Sequence, residues 1–367
     1  MAGSTYGTVF QITTWGESHG KALGAVIDGC PAGLPLTEKD IQIYLDRRKP
    51  GQTSISTPRK ESDQVEILSG VFEGKTTGTP LSLMIRNTSQ KSSDYSQIAS
   101  CYRPGHADYP FDAKYGFRDY RGGGRSSGRE TAGRVAAGAV ALKILSVLGI
   151  SVCAYTESIG PVSINYDNFD ETAILTTPTC MPDAEASVKA ENYLKECQAA
   201  KDSSGGVIAC FVSGVPAGIG EPVFEKLDAS LAKAMLSIGA VKAFEMGDGI
   251  LASKSKGSEN NDPFFTENGL IIKKTNHSGG TLGGMSDGSD LFFKVYVKPT
   301  PSIFQPQDTV NKEGENVTIQ IKGRHDPVIV PRAVVVVQAM AALTILDLMM
   351  LNMNARMEYL EKFYRED

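Results

Sequence analysis

The sequence predicts an α+β fold with an internal pseudo-two-fold duplication, helices inside and sheets outside. Three observations predict it. First, Gly24-Ala-Val-Ile-Asp-Gly29-Cys-Pro31-Ala-Gly33-Leu-Pro35 is echoed by Gly206-Val-Ile-Ala-Cys-Phe-Val-Ser-Gly214-Val-Pro216-Ala-Gly218-Ile-Gly220, so that Gly29, Pro31 and Gly33 fall on Gly214, Pro216 and Gly218. Second, each half carries one long helical pattern, Thr131 to Leu148 closed by Gly149, and Pro331 to Leu351. Both are apolar nearly all round, so each must be covered on more than one face. Third, the runs Gly206 to Ser213, Leu81 to Ile85 and Leu291 to Lys298 read as strands that supply the covering sheets.

In each copy of the echo a β-branched run forms a strand, Gly-x-Pro-x-Gly ends it, and an amphipathic helix follows. Thr37 caps the first helix with Asp40 three residues on, and Ile41, Tyr44 and Leu45 share a face. The second helix gathers Phe224, Leu227, Leu231 and Met235. The expected organisation is a single domain over residues 1–367. Its halves span about 1–150 and 206–351, with an excursion of about 161–204 in which turn residues alternate with helical pattern. The polar tail from Asn352 to Asp367 reads as a surface or interface helix.

Composition narrows the class. There are 37 Lys+Arg against 42 Asp+Glu, a mildly acidic balance unlike that of a protein for nucleic acid or anionic membranes. The six cysteines form no Cys-x-x-Cys pair, and no basic-then-apolar leader precedes the first motif, so free thiols in a reducing cytoplasm are expected. Ala333 to Leu351 invites a membrane reading, but Gln338, Thr344 and Asp347 interrupt it and Pro331 opens it as a helix start. A buried core helix is expected instead.

The four histidines, His19, His106, His277 and His325, all stand among Gly, Arg, Ser, Asn or Asp, in loops of the kind that gather functional residues. No pair has the spacing of a metal-binding helix, so no metal site is expected. Gly122-Gly-Gly-Arg125-Ser126-Ser127-Gly128-Arg129-Glu130 leads into the first long helix, with Ser127 and Glu130 spaced as a capping box. Free backbone N–H groups, two hydroxyls and guanidinium forks would converge there as a phosphate cradle. Gly70-Val-Phe-Glu-Gly74-Lys75-Thr76 is one residue short of a P-loop and reads as a hairpin turn. No glycine cluster has the dinucleotide fingerprint.

Three of these segments resemble the signatures of the chorismate synthase family: Gly16-Glu17-Ser18-His19-Gly20 with Asp28-Gly29-x-Pro31, Arg125 to Thr131, and Arg324-His325-Asp326-Pro327. Arg103-Pro-Gly-His-Ala-Asp108 and Asp119-Tyr-Arg-Gly-Gly-Gly-Arg125 are similar to intervening family segments. The likeness runs in order from about Ser4 to Leu351. It implies a β-α-β sandwich with core helices between antiparallel sheets, assembled as a homotetramer. It also implies bound reduced FMN, 5-enolpyruvylshikimate 3-phosphate as substrate, and anti-1,4-elimination of phosphate to give chorismate, the last step of the shikimate pathway.

By the same resemblance the flavin site comprises Arg125, Ser126, Ser127, Gly239, Ala240, Gly283, Lys298, Pro299, Thr300, Pro301, Ser302 and Arg324. Arg48 matches a position for nicotinamide or another anionic ligand, and Arg129 and Arg134 join it as anion-binding candidates. His19, its pKa raised by bound phosphate, would be the acid at the leaving oxygen. His106 would stabilise the anionic reduced flavin, and Ser18 and Asp326 would relay a proton. This chain departs from the pattern in having Gln338 for Glu, Gly239 for Asn, Pro301 for Ser and Ser54 for Arg. Ser54 points to a separate flavin reductase rather than direct use of nicotinamide, and Gln338 to an altered hydrogen bond. The rival classes are an FMN oxidoreductase acting on a small anionic substrate and a non-catalytic anion-binding protein.

Overall fold

Burial alternates along Gln11–Gly16, Ala22–Asp28 and, after Val65–Ser69, which is buried only at Val65, along Leu81–Arg86, with Leu23, Ile27, Leu81, Leu83 and Ile85 all but inaccessible. These strands pair antiparallel in the spatial order first, second, fourth, third, and Thr5–Tyr6 extends the edge. The computed structural model describes residues 3–51, 61–88, 99–321 and 326–365. A second antiparallel sheet of Ser151–Ile159, Gly206–Ser213, Val241–Met246 and Leu291–Val297 repeats that order, with Val162–Ser163 at its edge. In each half a helix follows the second strand, Glu38–Arg48 and Leu227–Leu236, and a long helix follows the fourth, Thr131–Val147 and Val330–Leu351.

The duplication extends to single hydrogen bonds. Thr76 Oγ1 donates to the Pro31 carbonyl at 2.6 Å and accepts from Leu34 N–H at 3.0 Å, while Gly33 N–H reaches the Thr76 carbonyl at 2.8 Å. Ser286 Oγ donates to the Pro216 carbonyl at 2.6 Å and accepts from Ile219 N–H at 2.9 Å, and Gly218 N–H reaches the Ser286 carbonyl at 2.8 Å. Both hydroxyls sit on two-strand hairpins, Val71–Phe72 with Lys75–Thr76 and Thr281–Leu282 with Met285–Ser286. The first hairpin turns through Glu73 and Gly74 at φ 49° and 74°, so Gly70 to Thr76 is the expected hairpin.

The two long helices pack on each other between the sheets. Gly138 permits their contact: a Cβ there would come within 2.4 Å of Ala339 Cβ. The polar residues that interrupt the second helix are anchors. Asp347 accepts from the N–H groups of Thr8, Val9 and Phe10 at 2.7–3.0 Å, and Thr344 Oγ1 bonds Tyr6 Oη at 2.7 Å. Gln338 accepts from Arg47 at 2.8 Å and donates to the Val152 carbonyl at 2.6 Å, which a carboxylate at that position could not do. Among the described residues one helix is long and apolar enough to cross a membrane, and its most apolar stretch is 83% buried inside the molecule.

One helix begins later than expected. Phe224 lies ahead of its helix and is 90% exposed, whereas Leu227, Leu231 and Met235 are buried. The helix begins only at Leu227, so Phe224 never reaches the core face. Residues 161–204 hold two helices, Ala173–Thr176 and Ala184–Ala199, the longer docked through Ala186, Ala190 and Leu194. In the tail, Met357–Arg365 is helical with no buried residue.

Candidate active site

Strand Gln11–Gly16 delivers the first histidine. The chain leaves Gly16 at φ 84° and turns through Glu17 to Gly20, with Gly20 N–H on the Glu17 carbonyl at 3.1 Å. Ser18 is buried, and its Oγ lies 3.1 Å from His19 Nδ1. The imidazole rests on Gly122, where a Cβ would stand 2.2 Å from Nδ1. No other residue fits there without moving His19. Nearby Asp119 has its carboxyl held below the ordinary range, first by the Arg121 hydrogen bond and also by the charge of His19.

Arg125, three residues after Gly122, folds back over the same strand. Its guanidinium donates to the carbonyls of Gly16 and Thr14 at 3.0 and 3.1 Å, to Thr14 Oγ1 at 2.6 Å and to Ser4 Oγ at 3.3 Å. The arginine–serine loop and the His19 turn are thus tied to one strand end. Two short 3₁₀ turns, Gly124–Ser126 and Gly128–Glu130, precede the long helix. The expected capping box is absent. Ser127 Oγ accepts from Arg129 N–H at 3.3 Å, but Glu130 turns its carboxylate to Arg134 at 2.8 Å instead of back to Ser127. The N–H groups of Ser126, Ser127 and Glu130 bond carbonyls within the loop. An anion at this loop would therefore meet side chains more than backbone amides. Ser126 Oγ itself donates to the Gly123 carbonyl at 2.7 Å.

The second histidine belongs to a different set of segments. Nδ1 of His106 is 2.9 Å from the Pro104 carbonyl and Nε2 is 2.8 Å from Ser302 Oγ. A carbonyl only accepts, so Nδ1 carries the proton, and Nε2 accepts from Ser302 in the neutral ring. Lys298 Nζ donates to the Gly105 carbonyl at 2.9 Å, and a Cβ on Gly105 would meet Pro301 at 2.6 Å. Arg103 closes the loop with a two-point bond to Asp108, both at 2.8 Å. Thr300 has its carbonyl on Ser203 Oγ at 2.7 Å, while its own Oγ1 is buried without a partner among the described residues. Lys298 N–H reaches the Ala240 carbonyl at 2.9 Å, which sets Gly239 and Ala240 beside the 298–302 run.

Three of the candidate anion-binding arginines meet protein acceptors. Asp63, fully buried at φ 47°, bonds Arg48 at 2.7 Å through Oδ2 and Arg129 through Oδ1. Burial alone would raise Asp63, but the two guanidinium charges outweigh it and hold its carboxyl below the ordinary range. Burial pulls Arg48 down to about 10, which leaves it charged at neutral pH. Arg48 also donates to Thr131 Oγ1 at 3.1 Å and the Gly128 carbonyl at 2.9 Å. Arg134 joins the halves, reaching Ser237 Oγ at 2.6 Å and its carbonyl at 3.2 Å.

Asp326 pairs with Arg332, whose Nε donates to the Arg48 carbonyl at 3.2 Å. Gly283 lies in the second-half hairpin turn at φ 62°. Arg324, His325 and Ser54 lie outside the described residues. His277 is held in a structural knot: Nδ1 bonds Asp248 at 2.7 Å and its N–H bonds Asp262 at 2.8 Å. Lys273, buried beneath, pairs with Asp262 and Asp287. Reading the sequence missed Asp63, Asn87 and the seat that Gly122 gives His19, because nothing local marks their partners. The glycine run before Arg125 was the one available signal. No cluster of His, Cys, Asp or Glu able to hold a metal occurs among the described residues.

A family model described as chorismate synthase matches residues 10–350. A chorismate synthase of Lachnoclostridium phytofermentans is 65% identical over 367 residues and one of Agathobacter rectalis 64% identical over 366, each alignment covering 100% of both chains. A chorismate synthase crystal structure superimposes with a TM-score of 0.77 at 32% identity, covering 97% of this chain and 96% of that one. With the fold and nearly the whole length matched, the chain belongs to the chorismate synthase family.

Proposed function

We propose that this enzyme is a carbon–oxygen lyase that expels phosphate from 5-enolpyruvylshikimate 3-phosphate by anti-1,4-elimination, giving chorismate with reduced FMN as cofactor. One observation carries the reading. Two histidines are fixed in separate loops, His19 against the start of the arginine–serine loop and His106 against Ser302, so each acid–base group adjoins a segment with anion-binding donors.

The residues present fit a flavin mononucleotide. Among the described residues, Thr300 Oγ1 in the 298–302 run is a buried hydroxyl lacking a partner, and no atom beyond the chain neighbours lies within 4 Å of a Cβ built on Gly239. Lys298, Arg125 and Ser127 can offer donors suited to a phosphate and the polar ring edge, and Ser126, whose hydroxyl hydrogen goes to Gly123, lies beside them as an acceptor. We assign these to the cofactor together with Ala240, Gly283, Pro299, Thr300, Pro301 and Ser302, and carry Arg324 over from the resemblance. Bound and reduced, FMN would supply the electron density that side chains lack for breaking an allylic C–O bond.

The chain's own groups do the rest. His19 donates a proton at the leaving phosphate oxygen, with Ser18 fixing its ring. His106, its Nδ1–H committed to Pro104, stabilises the anionic cofactor when Nε2 is protonated too and donates, in place of accepting from Ser302 as it does in the neutral ring. Asp326, held by Arg332, shares proton relay with Ser18. Arg48 and Arg129 keep N–H groups beyond those spent on Asp63 and remain our candidates for the substrate's anionic groups. Arg134 is spent on Glu130 and Ser237, so we place it at the rim. A separate flavin reductase, a homotetrameric state and a cytoplasmic location belong to the same reading. The test is the cofactor requirement. Under anaerobiosis, phosphate release should need reduced FMN and fail with oxidised FMN, and release without any flavin would overturn the proposal.

A further inference from the structure

A buried carboxylate and a half-buried amide connect the arginine frame to the histidine turn. Asp63 takes Arg129 on one oxygen while Arg48 occupies the other. Arg129 Nε then donates to Asn87 Oδ1 at 2.9 Å. Asn87 Nδ2 donates to two carbonyls, Glu17 at 2.9 Å and Gly20 at 2.8 Å, the two ends of the turn that presents Ser18 and His19. The amide's orientation follows from chemistry, because a guanidinium only donates and a carbonyl only accepts. Asn87 N–H also bonds the Lys21 carbonyl at 3.1 Å, so its backbone is fixed to the far side of the same turn.

We propose that Asn87 and Asp63 are positioning residues for His19: Asp63 pins Arg129, Arg129 sets the Asn87 amide, and that amide clamps the 17–20 turn against Gly122. The inference rests on the proposed role of His19 as acid. Backbone bonding alone leaves the turn with one internal hydrogen bond, Gly20 N–H to the Glu17 carbonyl, and Asn87 is the side chain that bridges its ends. Neither residue needs to touch substrate. A clamp of this kind acts by holding the imidazole in place, and a displacement of about 1 Å at a catalytic group costs on the order of a hundredfold in rate.

The test is a double-mutant cycle on the full-length enzyme with reduced FMN. Asn87→Asp keeps the acceptor for Arg129 but replaces the two donated bonds with repulsion, and Asn87→Ala removes both. Each should lower kcat by roughly ten- to a hundredfold with KM little changed. The His19 ring resonances should shift and broaden in NMR titration of the flavin-free protein. In a His19→Ala background the same Asn87 changes should cost almost nothing more, because the residue they position is gone. Additive losses, or unshifted His19 resonances, would overturn the positioning role. If His19→Ala itself turns over normally, the acid assignment fails instead, and the NMR result still reports whether Asn87 holds the ring. Asp63→Asn, which also loosens Arg48 and Arg129, tests the far end through the His19 resonances, which should shift as in the Asn87 variants and whose constancy would remove Asp63 from the chain; should it unfold, the Asn87 variants carry the test alone.

Discussion

Ser302 Oγ lies 2.8 Å from Nε2 of His106, across 196 residues of sequence, and the Pro104 carbonyl takes the other ring nitrogen. The pair fixes the imidazole's tautomer and its plane together. Ser302→Ala would remove the hydroxyl that donates to Nε2 of the half-buried ring, a loss of about 0.5–1.5 kcal/mol for a neutral hydrogen bond. Turnover should therefore fall by up to about tenfold, with His106→Ala lower still. Steady-state kinetics on both variants checks this, and equal turnover in Ser302→Ala and the parent would remove Ser302 from the site.

Gly122→Ala is the most local probe of His19. Its backbone suits any residue, so the effect must come from the methyl group, 2.2 Å from where Nδ1 now stands. His19 must move, and we expect turnover to fall by about a hundredfold while the thermal midpoint drops by only a few degrees. A large loss of midpoint with proportionate loss of activity would mean that the glycine serves packing instead.

Asp63 makes a prediction in pH. Its folded carboxyl is held below the value of 3.8 it has when free, so it binds its proton less readily folded than unfolded. Its stabilisation is then fully present above about pH 4 and is lost as pH falls through the folded value. Asp63→Asn leaves two buried arginines unpaired and should cost at least about 3 kcal/mol at pH 7. That cost should shrink toward pH 3, where the parent loses the same contribution. Urea midpoints at the two pH values measure it, and a cost independent of pH would contradict the ionised pair.

At the helix crossing, Gly138→Ala gains helix propensity worth about 1 kcal/mol. It also drives a methyl into Ala339, to 2.4 Å from its Cβ and 2.7 Å from its Cα. Backbone cannot swing aside as a flexible side chain would. Overpacking of about 1–3 kcal/mol should win, lowering the thermal midpoint with flavin binding unchanged. A raised midpoint would show that the helices separate at little cost.

Much of the fold was legible because it is written in local pattern. The apolar stripes of Thr131–Val147 and Val330–Leu351 and the Gly-x-Pro-x-Gly echo are contiguous in sequence, and each reports its own burial. The matching hairpins at Val71–Thr76 and Thr281–Ser286 were harder to pair, since only spaced glycines and one hydroxyl survive between them. Phe224 misled because an apolar residue in helical register looks the same whether or not the helix has begun. The histidine loops stood out by their polar glycine-rich surroundings, yet nothing local joins Ser302 to His106, Gly122 to His19 or Asn87 to Glu17 and Gly20. Glu130 was expected to cap its own helix and instead meets Arg134 and Thr14, a choice made by tertiary neighbours.

Electrons separate a lyase from an oxidoreductase, and a count of product per flavin reads them out. With strict anaerobiosis, chemically reduced FMN at far below substrate concentration, and 5-enolpyruvylshikimate 3-phosphate in excess, a lyase regenerates its reduced cofactor in every cycle. Many equivalents of phosphate and chorismate should then form per FMN, with the flavin absorbance ending where it began. Product that stops at one equivalent per reduced flavin, with oxidised FMN accumulating, would contradict the account and establish net redox chemistry.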